Sequence, residues 1–133
     1  MVGALPLVAV IDDDSAFLQM MSEILVDEGY RIVCCSQCEA AYAFIQHEQP
    51  DMIVLDVRLE HPDSGWNLLR LIRLDPEMHA LPVIICSADL QFLKQHEHQL
   101  RAYGCGILSK PFGIDDQLNE IKVRLQAPDF SPR

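Results

Sequence analysis

Short apolar runs and longer amphipathic stretches alternate along the chain. The candidate strands occupy residues 7–11, 31–35, 52–55, 83–86 and 107–109. A run that is apolar at every position, such as residues 7–11, is typical of a strand covered on both faces in a parallel sheet. Between the runs, apolar side chains recur at the spacing of a helix that packs on one side. The pattern predicts an α/β fold with a doubly wound, five-stranded parallel sheet, for which a common strand order is 2-1-3-4-5.

The helical stretches differ in the strength of their sequence signals, which are capping residues and apolar stripes. Asp14 or Ser15 suits the N-cap of the first helix. The fourth helix, residues 89–103, has a sparse apolar stripe that the polar run 94–99 interrupts, so it should be among the less stable parts of the fold. We expect these side chains to point inward: Leu68, Leu71 and Ile72 from the third helix (residues 66–74), and Leu93, Leu100 and Tyr103 from the fourth.

Length and charge limit the class of protein. The 133 residues, half of them hydrophobic, predict a single domain over 1–133, with its core at about 5–126 and a short tail at 127–133. The formal net charge of −10 offers no basic patch for direct nucleic-acid binding. The apolar stretch 1–11 is too short to span a bilayer and lacks the basic flank of a signal peptide. We therefore expect a cytoplasmic protein without membrane insertion.

Five cysteines form an odd, unevenly spaced set that does not suggest a disulfide framework. Cys35 and Cys38 make a C-x-x-C pattern with two open interpretations. They are either a redox pair or half a metal site, or they are two small apolar residues at a strand-to-helix junction. Cys34 and Cys86 lie within candidate strands, and we expect both in the core.

Polar side chains stand where four of the five candidate strands end. Asp12 and Asp13 follow the first strand, Asp56 the third, Ser87 the fourth and Lys110 the fifth. In the order 2-1-3-4-5 the first and third strands are neighbours at the topological switch point, so their carboxylates should emerge together. Negative charges this close need a partner, and a hard divalent cation such as Mg²⁺ takes oxygen ligands.

This set of residues suits phosphoryl transfer. Asp56 can attack a phosphoryl group to give an aspartyl-phosphate. Because phosphoryl transfer is mostly positioning and charge neutralisation, Lys110 would neutralise one phosphoryl oxygen and Ser87 would donate a hydrogen bond to another. Taken singly, each residue also has a structural interpretation, since an Asp after a strand is often a helix cap or a turn former. Their joint occurrence at strand ends favours a functional site.

Four segments resemble the receiver domain of two-component response regulators, and the resemblance covers roughly residues 5–126. The matching segments are residues 10–14, 50–56, 82–88 and 110–112. The resemblance implies a flavodoxin-like topology and a signalling switch that catalyses only its own phosphorylation and dephosphorylation. Asp56 would accept its phosphoryl group from the phosphohistidine of a histidine kinase or phosphotransfer protein. The phosphorylated form would then present a changed surface to a downstream protein target.

The resemblance also implies roles for the other site residues. Ser87 would be the switch hydroxyl, and Lys110, which precedes a cis bond to Pro111, would be the phosphate partner. The Mg²⁺ ion would have these ligands: Asp12, Asp13, Asp56 and the main-chain carbonyl of Arg58.

The chain departs from the usual receiver pattern in its loops. Glu60 stands where receivers usually carry Pro, and the loop to Gly65 is one residue longer than usual. Ile107 replaces the aromatic residue three before the lysine, so we do not expect the usual coupling of that ring to the hydroxyl. Arg58 and Asp89 occupy the two positions that, in the family this chain resembles, line the path of the attacking water. They form either an ion pair that modestly shifts the dephosphorylation rate or two solvated loop charges.

Other functions share parts of this pattern. A degenerate receiver that only binds partners would normally have lost some of the site residues. An aspartyl-nucleophile phosphatase would need an acid where this chain has Arg58, and a sizeable cap domain. A flavin-binding module would place its phosphate loop at residues 12–14, where three aspartates repel a phosphate. For a receiver, we expect the output surface at the fourth helix, fifth strand and fifth helix, changed by a population shift.

Overall fold

Five strands and five helices alternate in the computed structural model, which describes residues 5–56, 64–110 and 114–126. The five strands are parallel and form one sheet in the order β2-β1-β3-β4-β5. The α/β fold and the strand order predicted from the sequence are therefore confirmed. In chain order the elements are β1 (Leu7–Ile11), α1 (Ser15–Asp27), β2 (Arg31–Cys35), α2 (Cys38–Glu48), β3 (Met52–Asp56), α3 (Ser64–Leu74), β4 (Val83–Ser87), α4 (Leu90–Ala102), β5 (Gly106–Ser109) and α5 (Ile114–Gln126).

The strand register brings the carboxyl ends of neighbouring strands to similar heights. Ile11 of β1 lies opposite Leu55 of β3, and Ser87 of β4 lies opposite Ser109 of β5. The residues that follow these strands therefore emerge along one edge of the sheet, because parallel strands all end on the same side.

Two apolar layers cover the sheet. Side chains of α2, α3 and α4, among them Ile45, Ile72 and Leu100, form one layer with the inward residues of one sheet face. Met21 of α1 and Ile121 of α5 belong to the other layer. β1 is buried at all five positions because both of its faces are covered, as its continuous apolar run predicted.

Side-chain caps fix where α1 and α4 begin. The Asp14 side chain accepts hydrogen bonds from the main-chain N–H groups of Ala16 and Phe17, which makes Asp14 the N-cap of α1. The Asp89 side chain caps α4 in the same way by accepting from the Phe92 N–H group. Both caps satisfy donors that the first turn of a helix leaves without intrahelical partners.

Two inward assignments made from the sequence were wrong. Leu71 is 49 % exposed, whereas Leu69 is fully buried, because the inner face of α3 runs through Leu69, Ile72 and Arg73. Cys34 is exposed because β2 is the edge strand of the sheet, and only Cys35 of that strand is buried. Cys86, in the inner strand β4, is in the core as expected.

Arg73 is a buried arginine that ties three segments together. Its Nε donates to the carbonyl of Tyr103 at 2.8 Å, where α4 ends. Its Nη1 donates to the carbonyls of His79 at 3.1 Å and Leu81 at 2.6 Å, which lie between α3 and β4. The guanidinium fork presents several donors in one plane, which suits this convergence of carbonyls.

No helix in the described ranges combines the length and the apolar composition needed to cross a membrane.

Candidate functional site

Three carboxylates meet at the carboxyl edge of the sheet. Asp12 and Asp13 directly follow β1, and Asp56 is the last residue of β3. One oxygen atom from each residue lies within 4.8 Å of the other two. Asp12 is 1 % exposed, Asp56 is partly buried, and Asp13 is exposed. The structure therefore brings together the carboxylates for which the sequence predicted a shared cation.

Main-chain hydrogen bonds hold the ends of these strands in place. The Asp12 N–H group donates to the carbonyl of Cys35 at 3.1 Å, and the Asp14 N–H group donates to Asp12 Oδ1 at 3.0 Å. The Lys110 N–H group donates to the carbonyl of Ser87 at 2.8 Å. The first carboxylate and the lysine are thus positioned by the sheet rather than by free loops.

Lys110 brings a positive charge into the cluster. Its Nζ lies 2.5 Å from Asp12 Oδ2 and 3.5 Å from Asp56 Oδ2, and its side chain is 17 % exposed. Burial acts to lower the pKa of Lys110, but the hydrogen bond to Asp12 and the charges of Asp12 and Asp56 outweigh it and raise the pKa. The side chain is therefore an ammonium at neutral pH, facing the proposed nucleophile.

Ser87 stands on the neighbouring strand and connects the site to α4. It is 2 % exposed at the end of β4, and its Oγ accepts a hydrogen bond from the Asp89 N–H group at 3.1 Å. Asp89 Oδ1 in turn accepts from the Phe92 N–H group at 2.9 Å. Two hydrogen bonds therefore lead from the hydroxyl into the first turn of α4.

Two residues outside the predicted site lie beside the charges. Burial is the main cause that raises the pKa of Cys86 to about 12, so this thiol stays protonated and unreactive at neutral pH. The centroid of the Phe17 ring lies 4.1 Å from Lys110 Nζ. The sequence contained one signal for this contact, since Phe17 is in the first turn of the helix that directly follows the aspartates.

Several predicted features fall outside the described residues. These are the main-chain ligand and the water-path role of Arg58, the substitution at Glu60 and the cis bond to Pro111. They stay predictions. Ile107 is partly buried against the apolar layer of α2, α3 and α4.

The donor set fits a hard divalent cation. All three groups that converge here are carboxylates, and oxygen ligands are what Mg²⁺ prefers. Lys110 offsets only part of their negative charge, so the cluster still favours a further cation. The Lys110 ammonium contacts the cluster, and the Ser87 hydroxyl ends the neighbouring strand β4. These are the groups that phosphoryl transfer uses for positioning and charge neutralisation.

Comparison with solved structures shows the same fold. The chemotaxis protein CheY4 of Vibrio cholerae superposes with a TM-score of 0.81 at 24% identity, covering 91% of this chain and 99% of that one. The receiver domain of the sensor histidine kinase PA1611 of Pseudomonas aeruginosa, solved with magnesium in its active site cleft, has a TM-score of 0.81. It is 22% identical and covers 93% of this chain and 100% of its own.

Comparison of sequences shows the family. The probable transcriptional regulatory protein TcrX of Mycobacterium tuberculosis is 34% identical over 121 residues, covering 90% of this chain and 48% of that protein. The phosphate regulon regulator PhoB of Rhizobium meliloti is 27% identical over 125 residues, covering 92% and 53%. This chain thus spans about half the length of these relatives. The family model of the response regulator receiver domain matches residues 8–122. The chain therefore belongs to the response regulator receiver domains, the phosphorylation switches of two-component signalling.

Proposed function

We propose that Asp56 is the phosphoacceptor of this receiver and takes its phosphoryl group from the phosphohistidine of a histidine kinase or phosphotransfer protein. The observation that carries the proposal is the geometry of the cluster. Three carboxylates converge within 4.8 Å, and the Lys110 ammonium lies 3.5 Å from Asp56 Oδ2. The domain is a signalling module, so the only chemistry proposed for it is its own phosphorylation and dephosphorylation.

The residues divide the reaction between them. An Asp56 oxygen forms a bond to phosphorus while the bond from phosphorus to the donor's imidazole nitrogen breaks, and that nitrogen keeps the electron pair. Lys110 neutralises one phosphoryl oxygen, and the Ser87 hydroxyl donates a hydrogen bond to another.

Asp12, Asp13 and Asp56 would hold Mg²⁺, with the carbonyl of Arg58 as a further ligand. The bound ion supplies charge neutralisation at the phosphoryl oxygens. The chemistry of the three carboxylates supports this assignment, as does the magnesium in the related PA1611 receiver domain.

We also propose that the switch acts through protein contact at α4, β5 and α5. The hydrogen bonds from Ser87 to Asp89 and from Asp89 to Phe92 support this surface, because a reoriented hydroxyl would disturb the start of α4. The net charge of −10 disfavours direct contact with nucleic acid.

The proposal is tested by incubating the protein with acetyl phosphate and Mg²⁺ and measuring its intact mass. Wild type should gain one phosphoryl group, and Asp56→Asn should gain none. Asp14→Asn is the matched control, because Asp14 is exposed and caps α1, and Asn caps a helix as well as Asp does. It should be phosphorylated like wild type.

Either of two results would contradict this function. One is a phosphoryl adduct on Asp56→Asn equal to that on wild type. The other is no adduct on any variant, which would favour a receiver that only binds partners.

A further inference from the structure

The ammonium of Lys110 lies over the face of an aromatic ring. The centroid of the Phe17 ring is 4.1 Å from Nζ, well within the distance of about 6 Å at which a ring attracts a cation. Phe17 is 9 % exposed, so little water screens the contact. Lys110 therefore has a neutral neighbour in addition to the carboxylates of Asp12 and Asp56.

Phe17 is held firmly in this place. Its main-chain N–H group donates to Asp14 Oδ1 at 3.2 Å, so the cap of α1 fixes its backbone. Its side chain belongs to the buried layer formed with Met21 and Cys86. Lysine side chains have four flexible carbon atoms and lose much rotamer freedom when they are held. A fixed ring under the ammonium reduces the positions that Lys110 can adopt.

The ring differs from the carboxylates in one respect that matters for phosphoryl transfer. Asp12 attracts the ammonium, but it would also bind a metal ion, and Asp56 loses its carboxylate charge when it is phosphorylated. The ring attracts the ammonium through its quadrupole, and neither metal binding nor phosphorylation removes this attraction. It also leaves the full positive charge available to a phosphoryl oxygen.

We propose that Phe17 is a positioning residue for the phosphoryl chemistry of this receiver. Its ring face keeps the Lys110 ammonium at the edge of the cluster while the carboxylates engage other partners. The inference rests on the proposed function, because it concerns the same site. A contact of this kind is expected to change the rate of phosphorylation by roughly 3- to 10-fold.

The most direct test weakens the negative electrostatic potential on the ring face while the ring keeps its shape. Phe17 is replaced in the full chain by phenylalanine carrying one, two or three ring fluorines, which weaken the ring's attraction for a cation stepwise. The phosphorylation rate with acetyl phosphate is measured at saturating Mg²⁺. We expect the rate to fall with each fluorine, and Phe17→Leu to be as slow as the most fluorinated form or slower.

Two controls separate this role from packing. The same fluorinated series at Phe44, which lies on the opposite face of the sheet, should leave the rate unchanged. In a Lys110→Met background, fluorination of Phe17 should have no effect, because the cation is gone. In wild type, the proton resonances of the Lys110 side chain should show a ring-current shift that Phe17→Leu abolishes.

The outcomes distinguish this inference from the proposed function. A rate that is flat across the Phe17 series, in a protein that is phosphorylated on Asp56, would overturn the positioning role alone. An equal dependence on fluorine in the Lys110→Met background would also overturn it. A wild-type protein that acetyl phosphate does not phosphorylate would overturn both proposals.

Discussion

The contact between Lys110 and Asp12 places an ammonium where a metal ion would need a carboxylate oxygen. Nζ lies 2.5 Å from Asp12 Oδ2, on a residue that is 1 % exposed. A buried carboxylate without a positive partner is costly, so the lysine stabilises the metal-free protein. The same contact competes with a cation for the oxygen, and Lys110 thus affects both stability and metal affinity.

Lys110→Met is therefore expected to have two opposite effects. Without Mg²⁺ the variant should lose about 1–3 kcal/mol of stability to urea, because the carboxylates repel one another without compensation. Its affinity for Mg²⁺ should rise several-fold, measured by calorimetric titration. Lys122→Met removes the same charge from an exposed position on α5 and should change neither quantity. Weaker Mg²⁺ binding by Lys110→Met would show that the lysine does not compete with the ion.

A second residue pair, far from the cluster, predicts a pH effect. The Tyr42 hydroxyl donates to Asp75 Oδ2 at 2.5 Å and joins α2 to the segment after α3. This bond, followed by one from the Glu77 N–H group, lowers the pKa of Asp75. A carboxyl group whose pKa is lower in the folded state adds stability above its unfolded pKa of about 3.9, and this stability is lost as the pH falls through the folded pKa.

Tyr42→Phe should accordingly raise the pKa of Asp75, measured from its carboxyl carbon shift by NMR. The stability difference between wild type and Tyr42→Phe should be constant near neutral pH and should shrink as the pH falls below about 4. Tyr30→Phe provides the comparison, because no contact between Tyr30 and Asp75 is found in the described residues. A difference in stability that does not depend on pH would contradict this role.

At the scale of elements, α4 is a helix with few buried anchors for its length. Of its thirteen residues only Leu93 and Leu100 are buried. Within α4 the Phe92 ring stacks on His96, with ring centroids 4.2 Å apart. A contact from His96 to Trp66 joins the helix to α3. Its first turn depends on Asp89, which itself donates a main-chain hydrogen bond to Ser87. This arrangement suits a helix that responds to a change at the site.

Two substitutions of Asp89 separate its cap from its charge. Asp89→Ala should cost α4 about 1 kcal/mol and increase amide hydrogen exchange in its first two turns. Asp89→Asn keeps the cap, so exchange should stay near the wild-type level. If the charge of Asp89 also screens the path of water, as the sequence suggested, both variants should change the half-life of the phosphorylated form. Equal exchange in the two variants would contradict the capping role.

At the scale of the whole molecule, Arg73 connects α3, the segment before β4 and the end of α4. Arg73→Met should lower the free energy of unfolding by about 2–5 kcal/mol, because it leaves three partly buried carbonyls without their donor. Arg73→Lys should recover only part of this, since an ammonium lacks the planar fork. Arg70→Met, on the outer face of α3, is the control and should cost about 1 kcal/mol or less. Urea unfolding measures all three variants, and a neutral Arg73→Met would contradict this role.

Particular elements show how far the sequence alone determined the result. The strands β1, β3 and β4 are buried on both faces, and a strand in that environment must be apolar at nearly every position, so local sequence identifies it. The polar residues that end these strands were equally readable. The predicted strand order then places the carboxylates together, because neighbouring parallel strands end at the same edge of the sheet. This prediction needs no knowledge of how the side chains pack.

Other features were decided only by the tertiary structure. Cys34 is exposed because β2 lies at the sheet edge. The position of a strand within a sheet cannot be predicted from the residues of that strand alone. Leu71 points outward because Arg73, a charged residue, takes an inner position of α3 where distant carbonyls satisfy it. The ring of Phe17 contacts Lys110 only because α1 packs on the sheet that contains β5, the strand that Lys110 follows. Hydrophobic periodicity indicates which face of a single element is buried. Contacts between residues that are far apart in the chain depend on how all the elements pack together.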